Sequence, residues 1–153
     1  MAIIVGLHLA GVLLFGLRAT ISYLKLRRLM RLGAVASEDV QSLVQAIADD
    51  LSIRCRPPVL VSSHCDAPFA TGVFRPRIVI PASSLNLPMH QLEVILAHEL
   101  VHLNRRDPLV GWCEVVVGCV WWFHPVMWLL RVRLRQVRED CCDDVLMAPS
   151  RAC

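Results

Sequence analysis

At 153 residues the chain has room for one domain with its own core, but 56 % hydrophobic residues and a mean hydropathy of +0.53 exceed what an ordinary soluble domain carries. A net charge of +3 excludes the strongly basic surface that nucleic-acid binding requires. Seven cysteines, an odd number without a CxxC pair, exclude a secreted disulfide scaffold and point to reduced thiols.

In chain order, Ala2 to Leu24 is apolar except for His8, Arg18, Thr20 and Ser22, and about 20 such residues cross the hydrocarbon core as a helix. Residues 1–24 are therefore expected to form a transmembrane helix. A cleavable signal peptide fits less well, because no basic stretch precedes the apolar run and no small-residue cleavage site follows it. Residues 25–36 are expected to be a basic juxtamembrane linker, and Lys25, Arg27, Arg28 and Arg31 place it on the cytoplasmic side of a bacterial inner membrane, with the N-terminus outside.

Residues 37–148 are then expected to form the folded domain. Ser37-Glu38-Asp39 caps a helix with an apolar stripe at Val40, Leu43, Val44, Ile47 and Leu51. Pro58 to Ser63, Phe69 to Phe74 and Arg77 to Ile80 are short strand-like runs cut by Pro and Gly, which predicts a small antiparallel sheet. Leu92, Ile95, Leu96, Leu100, Val101 and Leu103 give Gln91 to Arg106 a helical period, closed by Asp107 as a cap and Pro108 at the next helix start.

That helix carries His98-Glu99-Leu100-Val101-His102. Two imidazoles four residues apart share one helix face and can grip one zinc ion, while the Glu between them reaches the metal's water as a general base. A catalytic zinc takes three protein ligands, so one more is required. Leu109 to Leu130 is long enough to cross the membrane once, which would strand everything beyond it on the opposite side from His98 and His102. The alternative is a helical hairpin over 108–147, turning at His124-Pro125. Its legs of about 22 and 21 Å, at 1.5 Å per residue, return Glu139 to the level of the His98–His102 helix. Spacing alone balances two readings of Glu139, third ligand or solvated member of the Arg138-Glu139-Asp140 charge run. Asp143, one turn further on, could hold a liganding imidazole by a hydrogen bond. His124 reads as a turn or capping residue, and it and His64 stand next in line as ligands.

These residues, with Arg106-Asp107-Pro108-Leu109, Trp122-Phe123-His124-Pro125 and Arg138-Glu139-Asp140-Cys141-Cys142-Asp143-Asp144, resemble the BlaR/MecR-type integral-membrane zinc metallopeptidases, relatives of the Ste24/HtpX membrane proteases. Ala67 to Pro81 resembles the strand pair that precedes the zinc helix in that family. The resemblance covers about residues 38 to 147. It implies His98, His102 and Glu139 as zinc ligands, Glu99 as catalytic base and a place beside the metal for Asp143. β-Lactam-sensing members carry further membrane helices and an extracellular sensor, so antibiotic sensing does not carry over. The expectation is that the chain is a shortened gene or fragment, or that sensing belongs to another protein.

The expected fold is thus α+β and mainly helical, a membrane-anchored zincin-type metallopeptidase domain. The expected function is zinc-dependent endoproteolysis at the cytoplasmic membrane face, in contact with the lipid bilayer. Its substrate is a protein or peptide, a transcriptional repressor among the candidates, with no direct nucleic-acid contact. An edge strand at Ala70-Thr71-Gly72-Val73 is the candidate for holding the substrate backbone, an ordinary hairpin being equally consistent. The sole tyrosine, Tyr23, sits in the membrane helix, which leaves His64, His90 or an Arg as the oxyanion donor. A non-catalytic zinc-stabilised signalling module and a general quality-control protease are the rival readings. Glu99 speaks against the former, because a structural zinc site has no use for a base.

Overall fold

The computed structural model describes residues 1–147, so the expected domain end at 148 and the thiol of Cys153 lie outside the described residues. Helix α1 spans Ala2–Leu32, strand β1 Ala34–Val35, α2 Glu38–Asp50, β2 Val59–Ser62, β3 Phe69–Thr71, β4 Arg77–Pro81, a short 3-10 turn Ala82–Asn86, α3 Met89–Asn104, α4 Asp107–Val120 and α5 Pro125–Met147. The fold is mainly helical with one small sheet.

α1 is long and apolar enough to cross a membrane, with a mean hydropathy of 2.0 over its most apolar window and none of that window buried by the protein. The helix does not stop at Leu24. Lys25 to Arg31 continue it, because Lys, Arg, Leu and Met are good helix formers, so the linker expected over 25–36 is the end of a helix followed by a strand.

The sheet order is β1-β2-β4-β3, and it is mixed, where sequence predicts an antiparallel sheet. β3 and β4 form the expected antiparallel hairpin, with Ala70 opposite Ile78, but β2 runs parallel to β4 on its other side, with Leu60 opposite Val79. β4 is central, and its Ile78, Val79 and Ile80 are fully buried, the pattern of a strand covered on both faces. Gly72 leaves β3 at φ +94, where a Cβ would stand 2.2 Å from the Arg75 carbonyl oxygen, so this bend requires glycine. β3 is left as an edge strand.

One core joins the elements. Val44 and Ala48 of α2, Val59, Ile78 and Ile80 of the sheet, Leu96 and Leu100 of α3 and Cys142 of α5 pack in a single cluster. The α2 stripe is inside as the sequence predicts, although the Ser37 side chain makes no capping hydrogen bond. α4 and α5 meet at a turn over Trp121–His124 and pack against each other, with α5 also returning to α3. His124 has the bland role, its Nδ1 accepting a hydrogen bond from the Val126 N–H at the start of α5. Near the turn, Trp122 stacks on Phe15 and fills the space above Gly11 of α1, while Trp112 meets Tyr23 edge-on.

Candidate metal centre and active-site cleft

α3 presents His98 and His102 on one face, and their Nε2 atoms converge to 3.0 Å. α5 returns Glu139 to the same point, its Oε2 lying 3.3 Å from His98 Nε2 and 3.9 Å from His102 Nε2. Two ligands each 2.0–2.1 Å from a tetrahedral zinc stand about 3.3 Å apart, so this donor set and spacing fit that ion. Glu139 is half exposed, which leaves a side open for water and substrate.

Glu99 is buried between the histidines and the sheet. Burial pushes its carboxyl above the usual carboxylate range, opposed by the neighbouring His102 and His98 and by a backbone hydrogen bond from Ala70. The edge strand and the candidate base thus lie beside the same cleft. Of the four residues proposed to hold substrate, Ala70 and Thr71 are on β3, whereas Gly72 and Val73 have already left it for the turn. Phe69 and Ala70 line a cleft of about 520 Å³ with His98, Glu99, His102 and Glu139.

The orienting partners differ from the expected one. Asp143 Oδ1 lies 3.8 Å from His98 Nδ1, beyond hydrogen-bond range, and is exposed. Asp107, which sequence places as a helix cap, instead sends its buried carboxylate back to His102 Nδ1 at 2.7 Å. The turn that allows this is made by Arg106 at φ 62, ψ 31, a left-handed residue between α3 and α4. Cys142 Sγ also approaches His102 Nδ1, at 3.3 Å. Its thiol is pushed up to about 11, first by burial and then by the Asp107 charge, so it stays protonated. His102, Asp107 and Cys142 form a second cluster of potential ligands, but its imidazole nitrogen is already held by Asp107.

Sequence reasoning also passes over Glu114, which pairs with Arg138 at 2.6 Å across the hairpin. Arg138 and Arg135 line the cleft, whereas His64 and His90 are exposed and are not among its lining residues.

Residues 1–152 match the family described as BlaR1 peptidase M56. The chain is 26 % identical over 134 residues to the regulatory protein BlaR1 of Bacillus licheniformis, which covers 87 % of this chain and 22 % of that protein. It is 28 % identical over 83 residues to the methicillin resistance mecR1 protein of Staphylococcus aureus strain Mu50, 54 % of this chain and 14 % of that one. The mecR1 protein of Staphylococcus epidermidis matches to the same extent. The chain thus spans 22 % or less of the length of these relatives. Because the family match runs from α1 through α5, and so takes in His98, Glu99, His102 and Glu139 together, the chain belongs to the BlaR1 peptidase M56 family.

Proposed function

We propose that this chain is a membrane-bound zinc metalloendopeptidase that cleaves a protein substrate at the cytoplasmic membrane face. The observation that carries the reading is the convergence of His98, His102 and Glu139 from two helices beside a buried Glu99. A zinc ion held there supplies Lewis-acid polarisation of the scissile carbonyl and a water of lowered pKa. Glu99 takes the proton from the attacking water and delivers it to the leaving amine. β3 holds the substrate backbone by strand addition through Ala70 and Thr71. Asp107 fixes the His102 ring so that Nε2 faces the cleft. Arg135 and Arg138 line the cleft, which has no tyrosine among its lining residues, and are its candidates for stabilising the developing oxyanion.

Membrane attachment through residues 1–24 is supported by the unburied apolar surface of α1 and by exposed Val116, Trp128 and Leu129 on the hairpin. α4, 14 residues and about 21 Å long, is shorter than the ~30 Å hydrocarbon core, which suits a hairpin that enters and returns. Lys25 to Arg31 end α1 next to the sheet, which supports a cytoplasmic site. A regulatory substrate, such as a repressor, accords with relatives named for regulation and resistance.

The test is metal analysis of the purified full chain together with cleavage of candidate repressors by the wild type and by Glu99→Gln. About one zinc per chain and cleavage by the wild type alone are expected. Zinc binding without cleavage of any protein would favour a non-catalytic signalling module, and cleavage of unrelated unfolded proteins would favour quality control.

A further inference from the structure

Where α1 meets the sheet, a groove of about 1020 Å³ lies between the C-terminal end of that helix and the turn joining β3 to β4. Leu26, Met30, Leu60 and Leu109 give it an apolar lining, and four arginines share it, Arg27 and Arg31 from α1 and Arg75 and Arg77 from the strand side. No Asp or Glu is among its lining residues, and among the described residues none of these four arginines forms an ion pair. Four like charges gathered without a counter-charge make a positive field, which favours an anionic occupant. Phe74, beside Arg75 in the turn, is 96 % exposed, an aromatic side chain that the protein leaves uncovered.

We propose that this groove binds an anionic phospholipid of the membrane that α1 crosses, with the phosphate among Arg27, Arg31, Arg75 and Arg77 and an acyl chain along Leu26 and Met30. The proposal rests on the membrane attachment of α1 and is independent of the peptidase reading. Helix geometry sets the level of the groove. The apolar run of α1 ends at Leu24, and Arg27 and Arg31 follow three and seven residues later, about 4.5 and 10.5 Å along the axis. The headgroup layer on one side of a bilayer is about 5–8 Å thick, so Arg27 stands within it and Arg31 at its water side. Tyr23 and Trp112, edge-on to each other at the same end of α1, are the aromatic pair expected at that boundary. Because Arg75 and Arg77 share the groove with Arg27, the turn that carries Phe74 lies at this level too, where an exposed ring has acyl chains to bury in. A lining half apolar and half cationic suits a ligand that is itself amphipathic and anionic, which selects a phospholipid over an acidic peptide segment.

The experiment places the full chain in nanodiscs of equal parts phosphatidylglycerol and phosphatidylcholine and counts, by native mass spectrometry, the lipids that stay bound when the protein leaves the disc. Phosphatidylglycerol should predominate, and each groove arginine changed to Gln should lower its ratio to phosphatidylcholine about fivefold. Arg75→Gln with Arg77→Gln removes two of the four, and Arg27→Gln with Arg31→Gln removes the other two from a different element, so a folding defect in one pair does not decide the result. Thermal unfolding in detergent checks that both pairs are folded. Lys25→Gln with Arg28→Gln takes the same charge from the same end of α1 but outside the groove, and should change the ratio much less. Equal losses from the groove pairs and this control would overturn the site in favour of a general attraction to the bilayer surface. Displacement of phosphatidylglycerol by a poly-Glu peptide would overturn it in favour of an acidic protein segment. A chain retained in the discs without lipid preference would end the lipid site alone, whereas a chain that leaves the discs as a dispersed monomer would end the membrane reading and the site with it.

Discussion

Asp107 and His102 face each other across the break between α3 and α4, with Oδ2 of the carboxylate 2.7 Å from Nδ1 of the ring. The carboxylate is buried, so this bond fixes the tautomer and the direction of Nε2. Asp107→Asn is expected to weaken zinc binding or activity by about 10- to 100-fold, the cost typical of losing such an orienting partner. Asp143→Asn, acting from 3.8 Å on an exposed helix face, is expected to cost less. Chelator competition on both variants checks the order, and the opposite order would make Asp143 the main orienting group.

His98→Ala or His102→Ala is expected to abolish stoichiometric zinc, because two remaining donors do not complete a catalytic site. Glu139→Gln keeps the shape but removes the charge of the third donor and should lower affinity severely. Glu99→Gln, in contrast, should retain zinc and lose about 10²- to 10⁴-fold in kcat. Metal analysis beside turnover separates the two classes, and full zinc occupancy in all three ligand variants would dissolve the site.

Gly11 is buried beneath Trp122, and a Cβ there would lie 2.1 Å from the indole ring. Gly11→Val should therefore destabilise the contact between α1 and the hairpin by about 1–3 kcal/mol. Adding Trp122→Ala should restore part of the loss, since the clash needs both partners. Thermal unfolding in detergent of the two single variants and the double variant measures the coupling, and strict additivity would mean the helices do not pack this way.

Glu114 and Arg138 join α4 to α5 at 2.6 Å, each with under a quarter of its side chain exposed. Glu114→Gln leaves a largely buried guanidinium without its charge partner and should cost on the order of 1–3 kcal/mol. Glu114→Gln with Arg138→Gln should cost less than the sum of the two single changes. Urea or thermal unfolding checks this, and equal costs from independent changes would reduce the pair to a surface contact.

Orientation gives a separate test. An epitope at Met1 should be accessible on intact cells, whereas one inserted at the Arg75 turn should need permeabilisation. The reverse pattern would put the cleft outside the cytoplasm.

The parts of this molecule visible in sequence are those governed by periodicity over several turns. The α2 stripe, the His98–His102 face and the returning hairpin all depend on repeats of 3.6 residues, which nothing in the tertiary structure overrides. The parallel β2–β4 pairing was not visible, because a short apolar run such as Val59–Ser62 does not reveal on which side of β4 it will lie. Asp107 was misread for a similar reason. Asp before Pro at a helix start fits a cap, and only the left-handed turn at Arg106 redirects its carboxylate to His102. Arg138 and Glu114 belong to opposite legs of the hairpin, and their meeting depends on the relative rotation of two helices, which spacing does not specify.

His102 and Glu139 are 37 residues apart, and the turn of the α4–α5 hairpin lies between them. A metal held by both ends is a clasp on that hairpin, and clasps work in both directions. The free energy with which the ion holds α5 against α3 is the same free energy by which any tilt of α5 loosens the ion. With the hairpin seated in a bilayer as proposed, lateral pressure and bilayer thickness would enter the metal affinity as thermodynamic variables, and zinc binding measured in detergent and in bilayers of different thickness is then expected to differ.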